Sequence, residues 1–578
     1  MNPCNAHAAS EEYADFIFRH GNTSLDNLIQ SLNTDCISYV DEEYAIVHYP
    51  LAQAEPISIS RQSYLAIPFL YSLLDTTSME QAGILDTFAQ PSLNYQGDGV
   101  LIGFIDTGLD YQNPLFREEN GNTRVLGIWD QTVPGDGFVL QSPIGQRYPF
   151  LYGQEYQEET INEALRSEDP LSLVPSTDTI GHGTFLAGIA AGKPLPDNSF
   201  IGAAPKASIG IVKLKPAKQY LRNYYMIPSN AIAYQANDIM MGVSYLRLLA
   251  ARYRMPLVIC IGLGSNQGGH NGAAPVSDTL NNLQTLLGVT AVCAAGNEVG
   301  FRHHYLGHIS ANTGYDEVEL RVAEGERGFL AELWADFPEV YTLGFVSPTG
   351  EVIDRIAYRR DEDTTVRFSL EETSITVSYV ASIGPQSSYL AYMRFTSPSA
   401  GLWRIRVYPT VSITGIFHIW LPVQGFVSDE TVFLEADPYT TITGPGNAQV
   451  PITASTYNHL NGSLYIHSSR GYTRDGQIKP DLTAPGVDVY GPGISSVPGD
   501  FPMTRMTGSS VAAAHVAGAA ANLYSWGYVH GNYPTITNSA IKAYLTRGAK
   551  RSTAYTYPNR EWGFGTLNLY QSFLSLRD

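Results

Sequence analysis

The sequence predicts an α/β domain built on a parallel sheet with helices on both faces, joined to a small N-terminal α+β unit and an inserted antiparallel β-sandwich. Three observations predict it. Apolar runs of strand length, "GVLIGFI" (Gly99 to Ile105) and "LVICIGLG" (Leu257 to Gly264), read as strands buried on both faces, as parallel strands are. Helical patterns separate such runs, which implies right-handed crossovers. Between residues 305 and 435 the helical period disappears and short alternating runs take its place.

At the N-terminus, Ala14 to Phe18 reads as a strand and Ser24 to Leu32 as a short helix, with Leu25, Leu28, Ile29 and Leu32 at helical spacing. Tyr44 to Tyr49 and Ser60 to Ala66 read as two further strands. From about residue 95 the α/β pattern begins. Thr184 to Ala191 reads as a helix with His182 at its start, Ser208 to Lys215 as a strand, and Ala231 to Arg254 as a long amphipathic helix. The run Leu283 to Gly296 is broken by Gly288 and reads as a buried strand after a helix. The alternating segments "AELWADF", "TVRFSL", "SITVSYV", "LAYMRFT", "GLWRIRVYP" and "GIFHIWLP" predict a jelly-roll sandwich whose many aromatics read as core filling, with a sugar- or partner-binding module as the alternative. The expected division is 1–75, 76–304, 305–435 and 436–578, the second and fourth pieces forming one domain.

The chain has 578 residues, 35 Lys plus Arg and 55 Asp plus Glu, a net charge of -20. That acidity repels phosphate backbones and anionic bilayers, so neither nucleic acid nor membrane is expected as a partner. The first residues lack a basic segment followed by an apolar run, which argues against a secretion signal. With few cysteines, this fits a cytoplasmic or spore-associated location. Cys4, Cys36, Cys260 and Cys293 have no metal-binding spacing and read as buried free thiols. No carboxylate loop of calcium-binding type is present, and no metal or cofactor is expected.

Three distant segments carry chemistry. Asp106 ends an apolar strand, at the edge of the sheet where α/β sites form. His182 stands between Gly181 and Gly183, small neighbours that leave a side chain open to a cleft. Ser510 precedes a strong helix former, so its hydroxyl sits where unpaired N–H groups favour negative charge. A serine hydroxyl needs an imidazole to take its proton, and the imidazole needs a carboxylate to fix its tautomer. Asp, His and Ser in that chain order are one known arrangement of this system.

The residues around these three resemble the subtilisin-like serine protease family. "GVLIGFIDTGLD" (Gly99 to Asp110) is similar to its acid motif, "GHGTFLAGIAAG" (Gly181 to Gly192) to its histidine motif, and "GSSVAAAHVAGAAA" (Gly508 to Ala521) to its serine motif. "AVCAAGNE" (Ala291 to Glu298) resembles the segment presenting the oxyanion-hole asparagine, here Asn297. "SSRGYTRDGQIKPDLTAPGV" (Ser468 to Val487) resembles the stretch before the serine helix. The chain departs from the family in having Ser509 for Thr and Ala514 for Pro. The likeness spans Gly99 to Asn297 and Ser455 onward, and in layout is nearest to the Csp germination proteases of clostridial spores.

The resemblance implies an endopeptidase with Asp106, His182 and Ser510 as its triad and Asn297 with the Ser510 N–H as its oxyanion hole. Gly262, Leu263 and Gly264 would bind an extended peptide by main-chain hydrogen bonds and line the pocket before the scissile bond. Residues 1–75 would be a pro-domain, template and inhibitor, cut by the enzyme itself between Ile67 and Ser78. Partners would be this pro-domain and a protein substrate, with a spore cortex-lytic zymogen as candidate. The alternative is a pseudoprotease that senses a germinant or scaffolds partners.

Overall fold

The computed structural model describes the whole chain except residues 1–6, 22–35, 42, 74–77, 80, 198, 311–312, 360–361, 384–386 and 578. At its centre is an eight-stranded sheet. Its order is Leu482–Pro485, Ile452–Tyr457, Val289–Ala294, Leu257–Ile261, Leu101–Asp106, Ser208–Lys213, Val125–Asp130 and Gln154–Gln157. Every pairing is parallel except the last, at the edge. The strand Leu101–Asp106 is buried along its whole length. Leu101 and Ile105 join the apolar cluster on one face, Ile102 and Phe104 the cluster on the other. Its unbroken apolar pattern therefore reflects two covered faces.

One face is covered by the helices His182–Ala191 and Ser509–Tyr524, both buried throughout. Alanine and glycine dominate these helices and let them lie close to the sheet and each other. On the other face lies the helix Ala236–Tyr253. It starts five residues later than the pattern suggests, because Tyr234–Gln235 forms a short strand instead. Against this helix packs a three-stranded antiparallel sheet of Tyr13–Arg19, Tyr44–Pro50 and Ile37–Tyr39.

Three expectations for this N-terminal unit need comment. The expected strand at Ser60 to Ala66 is not formed. Gln62 folds back so that its Oε1 accepts from Ser58 N, and Tyr64–Ala66 is a single 3-10 turn that directs Tyr64 inward. The expected helix Ser24 to Leu32 lies outside the described residues. Cys36 is in a disulfide, contrary to the free-thiol reading, with its partner outside the described residues. Cys260 and Cys293 are free and buried, and burial pushes both thiols up, Cys293 to about 12, which makes them inert core residues.

The inserted sandwich has a six-stranded and a five-stranded antiparallel sheet. Trp403, Tyr341, Tyr379, Tyr389 and Phe395 are buried between them, so these aromatics are core, as expected. The strand Gly328–Asp336 is buried on both faces. Phe329, Ala331 and Leu333 face the sandwich core, whereas Leu330 and Trp334 join the cluster shared with the α/β domain.

The seam between sandwich and α/β domain holds a stack of rings. Trp420 lies parallel to His270 at 4.1 Å and to His304 at 4.8 Å, and His304 Nε2 is 2.9 Å from His418 Nδ1. Burial lowers the pKa of His270 to about 4 and of His304 to about 3, and lowers that of His418 strongly. The buried His515 of the serine helix falls to about 3 for the same reason. Unfolded, these imidazoles take a proton near pH 6.5; folded, they refuse it until far lower pH. Stability is therefore full above pH 6.5 and falls as pH drops toward 4, by up to about 1.4 kcal/mol per pH unit for each histidine. We expect the melting midpoint to fall clearly between pH 7 and pH 5. A midpoint flat over that range would contradict neutral burial of these rings.

Candidate active site

The three sequence-predicted residues meet at the carboxyl edge of the sheet. Asp106 is the last residue of its strand, and its Oδ1 lies 2.8 Å from His182 Nδ1. His182 Nε2 lies 3.1 Å from Ser510 Oγ. With its Nδ1–H held by the carboxylate, the ring turns the lone pair of Nε2 toward the hydroxyl. All three side chains are buried.

Local packing fixes each of them. Thr107 N donates to Asp106 Oδ1 at 2.7 Å, and Thr107 Oγ1 accepts from Gly183 N at 2.9 Å. The turn after the acid strand thus lies directly on the start of the histidine helix. Gly183 is obligatory there, because a Cβ would come within 2.2 Å of Gly108 O. Gly262 is tightly placed too: a Cβ would meet Leu186 Cδ1 at 2.7 Å, and His182 Cε1 and Ser510 Cβ at 3.0 Å.

Asn297 reaches the site from the loop after the strand Val289–Ala294. Its Oδ1 accepts from Ser509 N at 3.0 Å, leaving its NH2 as the donor for a developing oxyanion. Ser509 keeps the hydroxyl expected of a threonine at that place and uses it to accept from Gly296 N at 3.0 Å. Ser469 Oγ accepts from Glu298 N at 3.1 Å, and Thr443 N donates to Ala295 O at 2.9 Å. The asparagine and its loop are therefore held by backbone and hydroxyl contacts from three other segments. Ser510 is in the first turn of its helix, at the end where the helix dipole favours negative charge.

Leu263–Gly264 forms a short strand, as expected of a peptide-binding edge, and it is occupied by the chain itself. Leu70–Leu73 pairs antiparallel with it, Leu73 opposite Leu263 and Ser72 opposite Gly264. On its other side the same segment pairs with Tyr234–Gln235. Leu70 N donates to Gln267 Oε1 at 2.8 Å, and Ala236 N to Phe69 O at 2.9 Å. The strand Tyr234–Gln235 escaped the sequence reading, because a two-residue strand before a helix has no periodicity.

Asp178 was also missed. Its Oδ1 accepts from Ile180 N at 3.0 Å and Gly181 N at 2.8 Å, and its Oδ2 accepts from Thr184 N and Thr184 Oγ1, both at 2.9 Å. It closes the start of the histidine helix, and an acidic residue just ahead of a helix was the available signal.

This arrangement has the parts for acyl transfer: a hydroxyl nucleophile, a base with fixed tautomer, two donors for an oxyanion, and an edge strand that aligns an extended chain. On a peptide substrate, Asn297→Ala should lower kcat by about 10²- to 10³-fold, the loss known for such an amide donor in subtilisin, with little change in KM. Asp178→Ala should destabilise the protein by about 1–2 kcal/mol, read by denaturant melts, and lower kcat through the displaced imidazole. Equal kcat in both variants and the parent would refute these roles.

A sequence model of the Subtilase family matches residues 97–565. Over 525 residues the chain is 25% identical to a subtilisin-like protease of Arabidopsis thaliana; the alignment covers 82% of this chain and 62% of the plant protein, so the chain spans less than two thirds of that relative. A shorter match of 129 residues, 21% of this chain and 8% of the other, is 34% identical to pyrolysin of Pyrococcus furiosus. Among solved structures, the CspB protease of Clostridium perfringens is similar with a TM-score of 0.75 and 29% identity, covering 86% of this chain and 97% of that one. The matched region contains Asp106, His182, Asn297 and Ser510, and the chain belongs to the subtilase family.

Proposed function

We propose that this protein is a serine endopeptidase that processes itself and then performs limited proteolysis on a protein substrate. Ser510 Oγ attacks a peptide carbonyl as its proton passes to His182 Nε2. Asp106 stabilises the imidazolium, and the Ser510 N–H with the Asn297 amide stabilises the oxyanion. The imidazolium then protonates the leaving amine, and water hydrolyses the acyl-enzyme by the reverse proton path.

What carries the self-processing reading is the placement of Leu70–Leu73. It lies on Leu263–Gly264 in the manner of a bound substrate, with Gly262 next in line beside Ser510 and His182. The segment from Ile67 to Ser78 includes residues 74–77, outside the described residues. The pairing of Leu73 with Leu263 supports a cut within the Ile67 to Ser78 segment. The N-terminal unit would remain docked after cleavage. Its buried Asp15 Oδ1 is 2.7 Å from His48 Nδ1 and 3.0 Å from Lys218 Nζ, and its Oδ2 accepts from Gln235 Nε2 at 3.0 Å. Lys218 and His48 hold the Asp15 carboxyl below its usual range despite its burial. Ala14, Ile17, Tyr44 and Ile46 share one apolar cluster with Ile239, Met240 and Val243, and a cut in the chain leaves that burial in place.

Likeness to the solved CspB protease of Clostridium perfringens supports a protease that acts on a protein substrate. We infer a spore role for this chain, with a cortex-lytic zymogen as the candidate substrate. The intact triad speaks against a purely scaffolding protein.

Intact mass and N-terminal sequencing test the reading. The parent should be cut within the Ile67 to Ser78 segment, with the fragment co-eluting on gel filtration. Ser510→Ala should stay at its full mass of about 63 kDa. Full-length recovery of both would overturn self-processing.

A further inference from the structure

The loop 265–270, directly after the peptide-binding strand, is gripped from several sides. Asn266 Nδ2 donates to Glu298 Oε2 at 3.0 Å, Gly269 O accepts from Arg474 Nε at 2.6 Å, and the His270 ring lies on Trp420. Gln267 of the same loop holds Leu70 N. A further contact comes from the centre of the sandwich. Glu332 is buried in the middle of the strand Gly328–Asp336, between Leu330 and Trp334 on the face turned to the α/β domain.

Three donors from three parts of the molecule converge on its Oε2. They are Tyr64 Oη of the N-terminal unit at 2.5 Å, Gly268 N of the loop at 3.0 Å, and Trp334 Nε1 of the sandwich at 2.9 Å. Burial raises the carboxyl's pKa, and these three donors oppose that rise. A carboxylate at the centre of an apolar interface is costly unless hydrogen-bonded in this way. An apolar residue would serve packing alone. The acid instead ties the start of the N-terminal segment's approach (Tyr64) to the loop that continues the peptide-binding strand (Gly268).

We propose that Glu332 is a positioning residue for proteolysis, through which the inserted sandwich sets the path of Leu263–Gly264 and of the peptide lying along it. This rests on the endopeptidase reading for its kinetic consequence, but not for its structural one. The structural consequence is read without turnover. Hydrogen exchange is compared for full-length Ser510→Ala with and without Glu332→Ala. Amides of residues 67–73 and 263–270 should exchange about tenfold faster or more in the double variant, while the sheet and sandwich core keep their protection. In the parent background, Glu332→Ala should raise KM for an extended peptide about tenfold. kcat and the rate of fluorophosphonate labelling, which does not use the extended strand, should stay within about twofold. Glu332→Gln keeps one acceptor oxygen and should restore most of both effects; if the alanine variant does not fold, Tyr64→Phe, which removes one donor to Glu332, should still speed exchange at residues 67–73, and unchanged exchange there would overturn the proposal.

Unchanged exchange at both segments in a folded variant would overturn the proposal. Faster exchange spread over the whole chain would also overturn it, as the mark of a core residue and nothing more. If the parent neither labels nor turns over, the endopeptidase reading fails while the exchange result still stands or falls by itself.

Discussion

An imidazole ring is small, and His182 must touch an acid and a hydroxyl supplied by segments 76 and 328 residues away in sequence. That requirement constrains the rest of the α/β domain. The parallel sheet brings strand ends to one edge, and the buried helices beginning at His182 and Ser509 place base and nucleophile there. Contacts too tight for any side chain but hydrogen, at Gly183 and Gly262, record how closely these parts approach. Small residues along both helices serve the same purpose, since a larger residue would separate helix from sheet and open the triad.

The N-terminal unit and the sandwich form the surroundings of this edge. The former contributes a strand lying between Tyr234–Gln235 and Leu263–Gly264. The latter contributes Glu332 and, with Trp420, part of the grip on the loop that follows. The molecule thus covers its own nucleophile, and Ser510 is fully buried in the continuous chain. Asp15 and the Oε2 of Glu332 are hydrogen-bonded across these seams. One apolar cluster runs through all three parts, from Ile17 through Ile239 and Leu263 to Leu330 and Trp420, and favours a fixed arrangement over loosely tethered units.

The triad and Asn297 were legible because each lies in a short local pattern: an apolar strand ending in acid, a glycine-flanked histidine, a serine before a helix. The central strands were legible because burial on both faces leaves an unbroken apolar run. Asp178 and the strand Tyr234–Gln235 were not, since their roles depend on backbone groups that no periodicity reveals. Ser60 to Ala66 misled because Tyr64 is buried by a 3-10 turn that carries it to Glu332, a partner 268 residues away, and not by a pleat. The Cys36 pairing was equally hidden, because cysteine spacing alone does not reveal disulfide connectivity. Ser509 was legible as a change of residue, but its hold on Gly296 needed the folded loop to be seen.

The central claim is that Ser510 is a nucleophile made reactive by His182. Its most direct measurement is the stoichiometry and site of fluorophosphonate labelling in the folded protein, mapped by peptide mass. The account predicts one adduct per chain, on Ser510, lost in His182→Ala while that variant keeps its fold. Absence of labelling in soluble folded parent protein, or an adduct on another residue, would contradict it.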